Sequence, residues 1–124
     1  MIDNKCYTLD LAPVPMDENT FNRIIPEIIG EMQDQEDDFL VVGYRPFRKD
    51  HLSAIQTCKD GANYHIELVI YPNGEDAIDF VIYGYDTPDF DETVSLFKQV
   101  IVFDRIPAEV KWRNITNLGK YLDY

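Results

Sequence analysis

The stretch HLSAIQTCKDGANYHIELVIYPNGEDAIDFVIYGY, residues 51–85, decides the fold. It contains three runs rich in β-branched and aromatic residues, a composition typical of β-strands. Short turn-forming segments separate the runs, so consecutive strands are expected to pair antiparallel. The sequence therefore predicts a three-stranded antiparallel meander, with strands at residues 51–58, 64–71 and 77–85.

The two turns of the meander also predict its register. Asp60-Gly61 suits a two-residue hairpin, and Pro72-Asn73-Gly74 suits a three-residue loop closed by a glycine with positive φ. Turn length fixes which residues lie opposite each other, and opposite residues share a face of the sheet. The pairs expected on the apolar face are Leu68 with Ile78, Ile66 with Phe80, Tyr64 with Ile82, Ile55 with Ile66 and Thr57 with Tyr64.

Segments on either side of the meander predict an α+β fold. Apolar residues at helical spacing indicate two main helices, at about residues 18–33 and 88–103, packed on the sheet. Pro26 leaves two possibilities for the first helix, a kink or a break with a new helix starting there. Thr87 is the predicted cap of the second helix, with Pro88 at its first position. Further strands are predicted near residues 5–11, 39–45 and 109–115, and a short terminal helix at 118–122. The strand at 39–45 is a nearly continuous apolar run with β-branched residues, so we expect it to be buried on both faces.

These elements predict one antiparallel sheet of about four or five strands in a single globular domain, residues 1–124. The amino-terminal residues carry no signal-peptide pattern, and the chain has no apolar run of about 18 residues that could cross a membrane. We therefore expect a cytoplasmic protein. Cys6 and Cys58 match no paired-cysteine motif, which indicates two reduced thiols.

Acidic residues outnumber basic ones by 23 to 11, which gives a net charge of −12. Nucleic acids and anionic membranes bind positively charged surfaces, so we expect direct binding to neither. The complementary partner for this chain is a basic protein. The charge is also uneven, because residues 60–92 contain nine Asp or Glu and no Lys or Arg.

Tyrosines occur within the same acidic stretch, and acidic side chains beside aromatic anchors are typical of surfaces that hold basic proteins. The predicted register places Glu67 opposite Asp79, a like-charge pair that a partner's cation would neutralise. The alternative is that both carboxylates point into water or lie under a nearby Lys or Arg. The candidate partner-binding residues are Glu67, Asp79, Tyr71, Tyr83, Tyr85, Glu75, Asp76, Asp86, Asp89, Asp91, Glu92, Asp37 and Asp38.

Catalytic motifs are missing from the sequence. His65, Glu67 and Asp79 would lie together on the predicted sheet, but one histidine with two carboxylates is a weak metal-site or acid–base signal. Neither cysteine has a base placed beside it in the sequence, as a nucleophile would need. We therefore expect no enzyme activity, no cofactor and no metal.

In size, acidity and α+β build, the chain resembles the small cytoplasmic immunity proteins of bacterial toxin–immunity systems. The resemblance covers the whole chain at the level of class, with residue-level support from residues 34–38, from Glu67 with Asp79, and from residues 86–92. It implies a protein-binding inhibitor that neutralises a basic, nuclease-type toxin.

Three alternatives stay open. One is a nucleic-acid mimic, against which the basic segments 45–59 and 93–124 argue. The others are a small enzyme or ligand-binding domain with a pocket beside His65 and Glu67, and an assembly or adaptor domain.

Overall fold

The computed structural model describes residues 6–12, 14–35 and 38–117. Within them a six-stranded sheet carries two helices on one face, which is the α+β class predicted. The strands are β1 (Cys6–Leu11), β2 (Phe39–Tyr44), β3 (Leu52–Asp60), β4 (Asn63–Ile70), β5 (Val81–Thr87) and β6 (Arg113–Asn114). The helices are α1 (Glu18–Gly30) and α2 (Phe90–Ile101).

The sheet has more strands than predicted and mixed pairing. Its order in space follows the chain, from β1 to β6, with β1 parallel to β2 and every other pair antiparallel. The last strand is confined to Arg113–Asn114, much shorter than the predicted 109–115. The predicted terminal helix at 118–122 lies outside the described residues.

α1 is one continuous helix, which settles the two possibilities that Pro26 left open. The Asp17 carboxylate caps it by accepting from the Thr20 backbone N–H at 3.1 Å. Phe21, Ile25 and Ile29 lie on its buried face. A proline inside a helix removes one backbone hydrogen bond, and this apolar contact with the sheet compensates for that loss.

α2 starts later than predicted, because its cap is Asp89 and not Thr87. The Asp89 side chain accepts from the backbone N–H groups of Asp91 and Glu92. Thr87 is instead the last residue of β5, and its hydroxyl donates to the Glu92 carboxylate at 2.6 Å. The buried residues of α2 are Thr93, Leu96, Phe97, Val100 and Ile101.

The β3–β4 hairpin is shifted by two residues from the predicted register. Its turn is Gly61–Ala62, with Asp60 paired to Asn63 and Thr57 paired to Ile66. Gly61 has a φ of 62°, a conformation that glycine adopts at little cost. Because the shift is even, the side chains of β3 and β4 keep the faces that the sequence predicted.

The β4–β5 register differs more, and here the prediction was wrong. Leu68 pairs with Tyr83, five residues after the predicted Ile78. An odd shift turns every side chain of β5 to the opposite face, so Tyr83 faces the helices and Ile82 faces away from them. Glu67 consequently lies opposite Gly84, and the predicted pair of Glu67 with Asp79 does not form.

Apolar side chains are buried on both faces of the sheet. The main core lies between the sheet and the two helices. We call the opposite face, which is turned away from the helices, the far face. It carries a smaller buried cluster of Val41, Ala54, Val69, Ile82 and Ile115. The central strands are therefore covered on two sides, and this confirms that β2 is buried on both faces.

Arg48 joins the segment between β2 and β3 to the end of α2. The sequence places it in a basic loop, yet the residue is only 5% exposed. Its guanidinium donates to the Val100 carbonyl at 2.6 Å, to the Tyr44 hydroxyl and to both carboxylate oxygens of Asp50. The carbonyls of the last helical turn lack partners within the helix, so Arg48 satisfies one of them.

Replacing Arg48 with methionine should lower the free energy of unfolding by about 2 kcal/mol, because the Val100 carbonyl and the Tyr44 hydroxyl lose a buried donor. Urea unfolding followed by circular dichroism measures the change. Lys49→Met, at the exposed neighbouring residue, is the matched control and should shift stability by less than about 0.5 kcal/mol. Equal losses in the two variants would contradict an anchoring role for Arg48.

Candidate partner-binding surface

Residues 71–80 form a loop between β4 and β5, which we call the acidic loop. It carries three exposed carboxylates, Glu75, Asp76 and Asp79, and contains no basic residue. Ile78 lies among them with 93% of its surface exposed. An apolar side chain within a polar rim is the arrangement found in contact surfaces between proteins.

The acidic loop is held by its own hydrogen bonds. The Gly74 N–H donates to the Tyr71 carbonyl at 3.0 Å, and the Ala77 N–H donates to the Gly74 carbonyl at 3.3 Å. The Asn73 side-chain amide donates to the Asp79 carboxylate at 2.7 Å. Gly74 has a φ of 90°, which favours glycine at this turn. The loop therefore has a defined shape although it lies outside the sheet.

Aromatic rings attach the acidic loop to the body of the protein. Tyr71 stacks on Phe47 with ring centroids 4.9 Å apart, and it contacts Phe80 at 5.7 Å. The Phe47 backbone N–H donates to the Glu75 carboxylate at 3.2 Å. A cleft of about 330 Å³ opens beside these rings on the far face. The loop, the rings and the cleft thus form one continuous surface.

Glu67 does not belong to this surface, because it is fully buried at the centre of the sheet. One carboxylate oxygen accepts from the Gln56 side-chain amide at 2.7 Å. The other lies 2.7 Å from His65 Nε2. A buried carboxylate is costly unless it is paired and hydrogen-bonded, and these two neighbours supply both conditions.

His65 links Glu67 to the edge of the sheet. Its Nδ1 lies 2.7 Å from the Asp86 carboxylate, whose second oxygen accepts from Arg113 at 2.9 Å. The hydrogen bond to Glu67 raises the pKa of His65, burial opposes that rise, and the hydrogen bond to Asp86 adds to it. Both ring nitrogens face carboxylates, so the protonated imidazolium fits this position.

We expect the stability conferred by His65 to decrease as pH rises. A folded pKa above the unfolded value near 6.5 means that the contribution is fully present below pH 6.5 and is lost as pH rises through the folded pKa. Relative to the native chain, His65→Gln should cost about 2 kcal/mol at about pH 6 and less at about pH 9. Chemical unfolding across this pH range measures the difference.

The control for this experiment is His51→Asn, which removes the other of the chain's two histidines. His51 is exposed, has a φ of 66°, and lies in a conformation that asparagine tolerates. The pH dependence of stability should persist in this variant. A His65→Gln profile parallel to that of the native chain would contradict the buried imidazolium.

The remaining candidates are divided between the two ends of β5. Asp89 and Asp91 are exposed at the start of α2, whereas the acidic loop lies at the other end of the strand. At about 3.3 Å per residue, β5 separates the two groups by roughly 20 Å. The exposed carboxylates of the acidic loop and those of Asp89 and Asp91 therefore make two separate acidic patches, although the sequence presents them as one stretch.

The two tyrosines of β5 are not exposed anchors. Tyr83 and Tyr85 are half-buried against the main core, and the Tyr85 hydroxyl donates to the Glu92 carboxylate at 2.9 Å. Asp38 is buried and accepts from the Gln33 N–H at 2.8 Å, so it closes the turn after α1. Asp37 lies outside the described residues.

Ile78 is the residue of this surface that the sequence analysis missed. The sequence predicts Ile78 on the apolar face opposite Leu68, but residues 71–80 join neither β4 nor β5. The composition of this stretch was the available signal that it is not a strand. It contains three acidic residues, a proline and a glycine, and each of these residue types is depleted in β-strands.

Cys58 lies opposite His65 in the β3–β4 ladder. Burial raises the pKa of its thiol to about 11, and the negative charge of Glu67 adds to the rise. Thiolates are the reactive form of cysteine, so at neutral pH this side chain is a poor nucleophile.

This protonation state predicts slow alkylation of Cys58. In a Cys6→Ser variant, iodoacetamide at about pH 7.5 should label the folded protein at least tenfold more slowly than the urea-unfolded chain. Mass spectrometry of the time course gives both rates. Comparable rates would show an activated or freely accessible thiol.

Within the described part of the chain, no helix combines the length and apolar character needed to cross a membrane. Among the same residues, no group of three or more His, Cys, Asp or Glu is arranged to hold a metal ion. In comparisons with known proteins, no family model, curated protein or solved structure gives a significant match to this chain.

Proposed function

We propose that this protein is a protein-binding inhibitor of the immunity-protein kind, which neutralises a basic, nuclease-type toxin through the acidic loop. The observation that carries the proposal is the exposure of Ile78 among three carboxylates on a loop held by its own hydrogen bonds. An apolar centre within a polar rim is the usual build of a protein–protein interface.

The anchor and the charges contribute differently to binding. Burying an isoleucine side chain contributes about 2 kcal/mol, most of which slows dissociation. The carboxylates of Glu75, Asp76 and Asp79 attract a basic partner over several ångströms and raise the association rate. A net charge of −12 extends this attraction over the whole molecule.

The order within the acidic loop favours a binding function. Association normally costs the conformational freedom of the segments that become fixed. Hydrogen bonds within residues 71–80 and the stacking of Tyr71 on Phe47 already fix this loop. Little further ordering is needed when a partner covers Ile78, so more of the contact energy remains for affinity.

The nucleic-acid-mimic alternative receives less support. Imitating a phosphate backbone requires carboxylates in a continuous row, whereas β5 separates the acidic loop from Asp89 and Asp91. Exposed Arg45 and Arg113 also lie near the two patches. The enzyme alternative predicts a pocket around His65, but His65 lines neither the 330 Å³ cleft nor the 220 Å³ cleft at Arg48.

Photo-crosslinking from position 78 in cells of the native host tests the proposal and identifies the partner. A crosslinker at Ile78 should capture a basic protein whose toxicity co-expression of this chain suppresses. The same crosslinker at Val14, which is 61% exposed, is the control and should not capture it. Capture only of acidic proteins, or equal capture from both positions, would overturn the proposal.

Binding kinetics with the captured partner test the two contributions separately. Ile78→Ser should weaken affinity about 30-fold, mainly through faster dissociation, whereas Val14→Ser should not.

Asp76→Lys should slow association by about tenfold at low salt, and the difference should shrink as salt rises. Glu27→Lys, at an exposed residue of α1, controls for net charge. An association rate independent of salt would contradict steering by the acidic loop.

A further inference from the structure

The cleft beside the acidic loop has an open floor because β2 carries a glycine there. Gly43 lies on the far face between Val41 and the end of the strand. A Cβ at Gly43 would lie 3.4 Å from Asp10 Oδ1 and 3.7 Å from the Ser53 carbonyl oxygen. A side chain larger than glycine at position 43 would therefore extend from the sheet into the cleft and fill it. Its volume of about 330 Å³ is enough for a long side chain with part of its backbone.

The walls and rim of the cleft differ in chemistry. The stacked rings of Phe47 and Tyr71 form an aromatic wall. The carboxylates of Asp10 and Glu75 lie at the rim, and both residues are exposed. Aromatic faces and carboxylates both attract cations, while an apolar floor accommodates the methylene stem of a long basic side chain.

We propose that this cleft is a receptor site for one arginine or lysine side chain of the basic partner. The stem lies against the floor at Gly43, and the cation lies between the aromatic wall and the two carboxylates. The inference rests on the proposed function, since it assigns a second contact to the surface that carries Ile78. Tyr71 and Glu75 belong to both the acidic loop and the cleft, so one partner surface meets both.

Arg45 is a basic residue that lines the cleft, and removing it tests whether the cleft binds a cation or an anion. Its Nε lies 3.5 Å from Asp10 Oδ1, and the two side chains are 82% and 58% exposed. Exposed pairs of this kind contribute little stability, so an incoming cation displaces Arg45 readily. A cationic ligand competes with Arg45, whereas an anionic ligand would be held by it. Removing Arg45 therefore changes affinity in opposite directions for the two kinds of ligand.

The experiment is an NMR titration of the full chain with three capped amino acids. N-acetyl-arginine amide is the probe, N-acetyl-citrulline amide is its uncharged isostere, and N-acetyl-glutamate amide is the anionic control. The arginine probe should shift the amide signals of Gly43, Ala54 and Tyr71, with a dissociation constant in the millimolar range. Citrulline and glutamate should bind at least tenfold more weakly.

Variants then assign the contacts. Arg45→Ala should tighten arginine binding about threefold, and Glu75→Gln, which keeps the acceptor for the Phe47 N–H, should weaken it about threefold. Gly43→Leu should abolish binding by filling the cleft. Gly43→Ala, the milder change, should weaken binding while the chain stays folded, because its Cβ contacts are close to ordinary packing distances.

The outcomes separate this inference from the proposed function. Ile78→Ser should leave arginine binding unchanged, because Ile78 does not line the cleft. Equal binding of citrulline, tighter binding of glutamate that Arg45→Ala weakens, or no shift with any probe would overturn the cation site. None of these results changes what crosslinking from position 78 reports, so the acidic loop can bind a partner even if the cleft does not.

Discussion

Burial of the Glu67 carboxylate constrains the whole far face of the sheet. Removing a carboxylate from water costs several kcal/mol unless it is paired, and here His65 and Gln56 both contact it. Gly84 lies directly opposite Glu67, and a Cβ there would lie 2.8 Å from Ile115 Cδ1 and 3.5 Å from the His65 ring. The missing side chain leaves room for His65 and Ile115 beside the carboxylate. Glu67 opposite Gly84 therefore fixes the register of β4 with β5.

That register creates the candidate binding surface. Pairing between β4 and β5 begins at Ile70 with Val81, which leaves residues 71–80 outside the sheet. The backbone N–H and C=O groups of such a connection need hydrogen-bond partners outside the sheet. Turns at Gly74 and Ala77 supply such hydrogen bonds within the loop. Ile78 is then left in solvent, although an in-register strand would have buried it. The buried ion pair and the exposed anchor follow from the same strand pairing.

The sequence predicted what depends on local periodicity. Both helices, the doubly buried β2 and the meander topology follow from apolar spacing and turn residues. The β5 register could not be predicted, because Ile78, Phe80 and Ile82 recur at every second residue, as on one face of a strand, and Pro72-Asn73-Gly74 suits a short loop equally well. The burial of Arg48 depends on the Val100 carbonyl, 52 residues away, and no local pattern reports such a contact.

The negatively charged side chains have different roles in the interior of the sheet and at the surface. Glu67 is buried in the sheet and Asp86 lies at its surface, and both carboxylates are matched by His65 or Arg113, so they add little to the external field. The acidic loop has no basic residue of its own, and near the cleft Arg45 is the cation that an incoming side chain would replace. Uncompensated charge therefore surrounds Ile78 and lies beside the aromatic wall at Tyr71. A partner that fits both must present an apolar contact and a basic side chain on one rigid surface, which is a stricter requirement than positive charge alone.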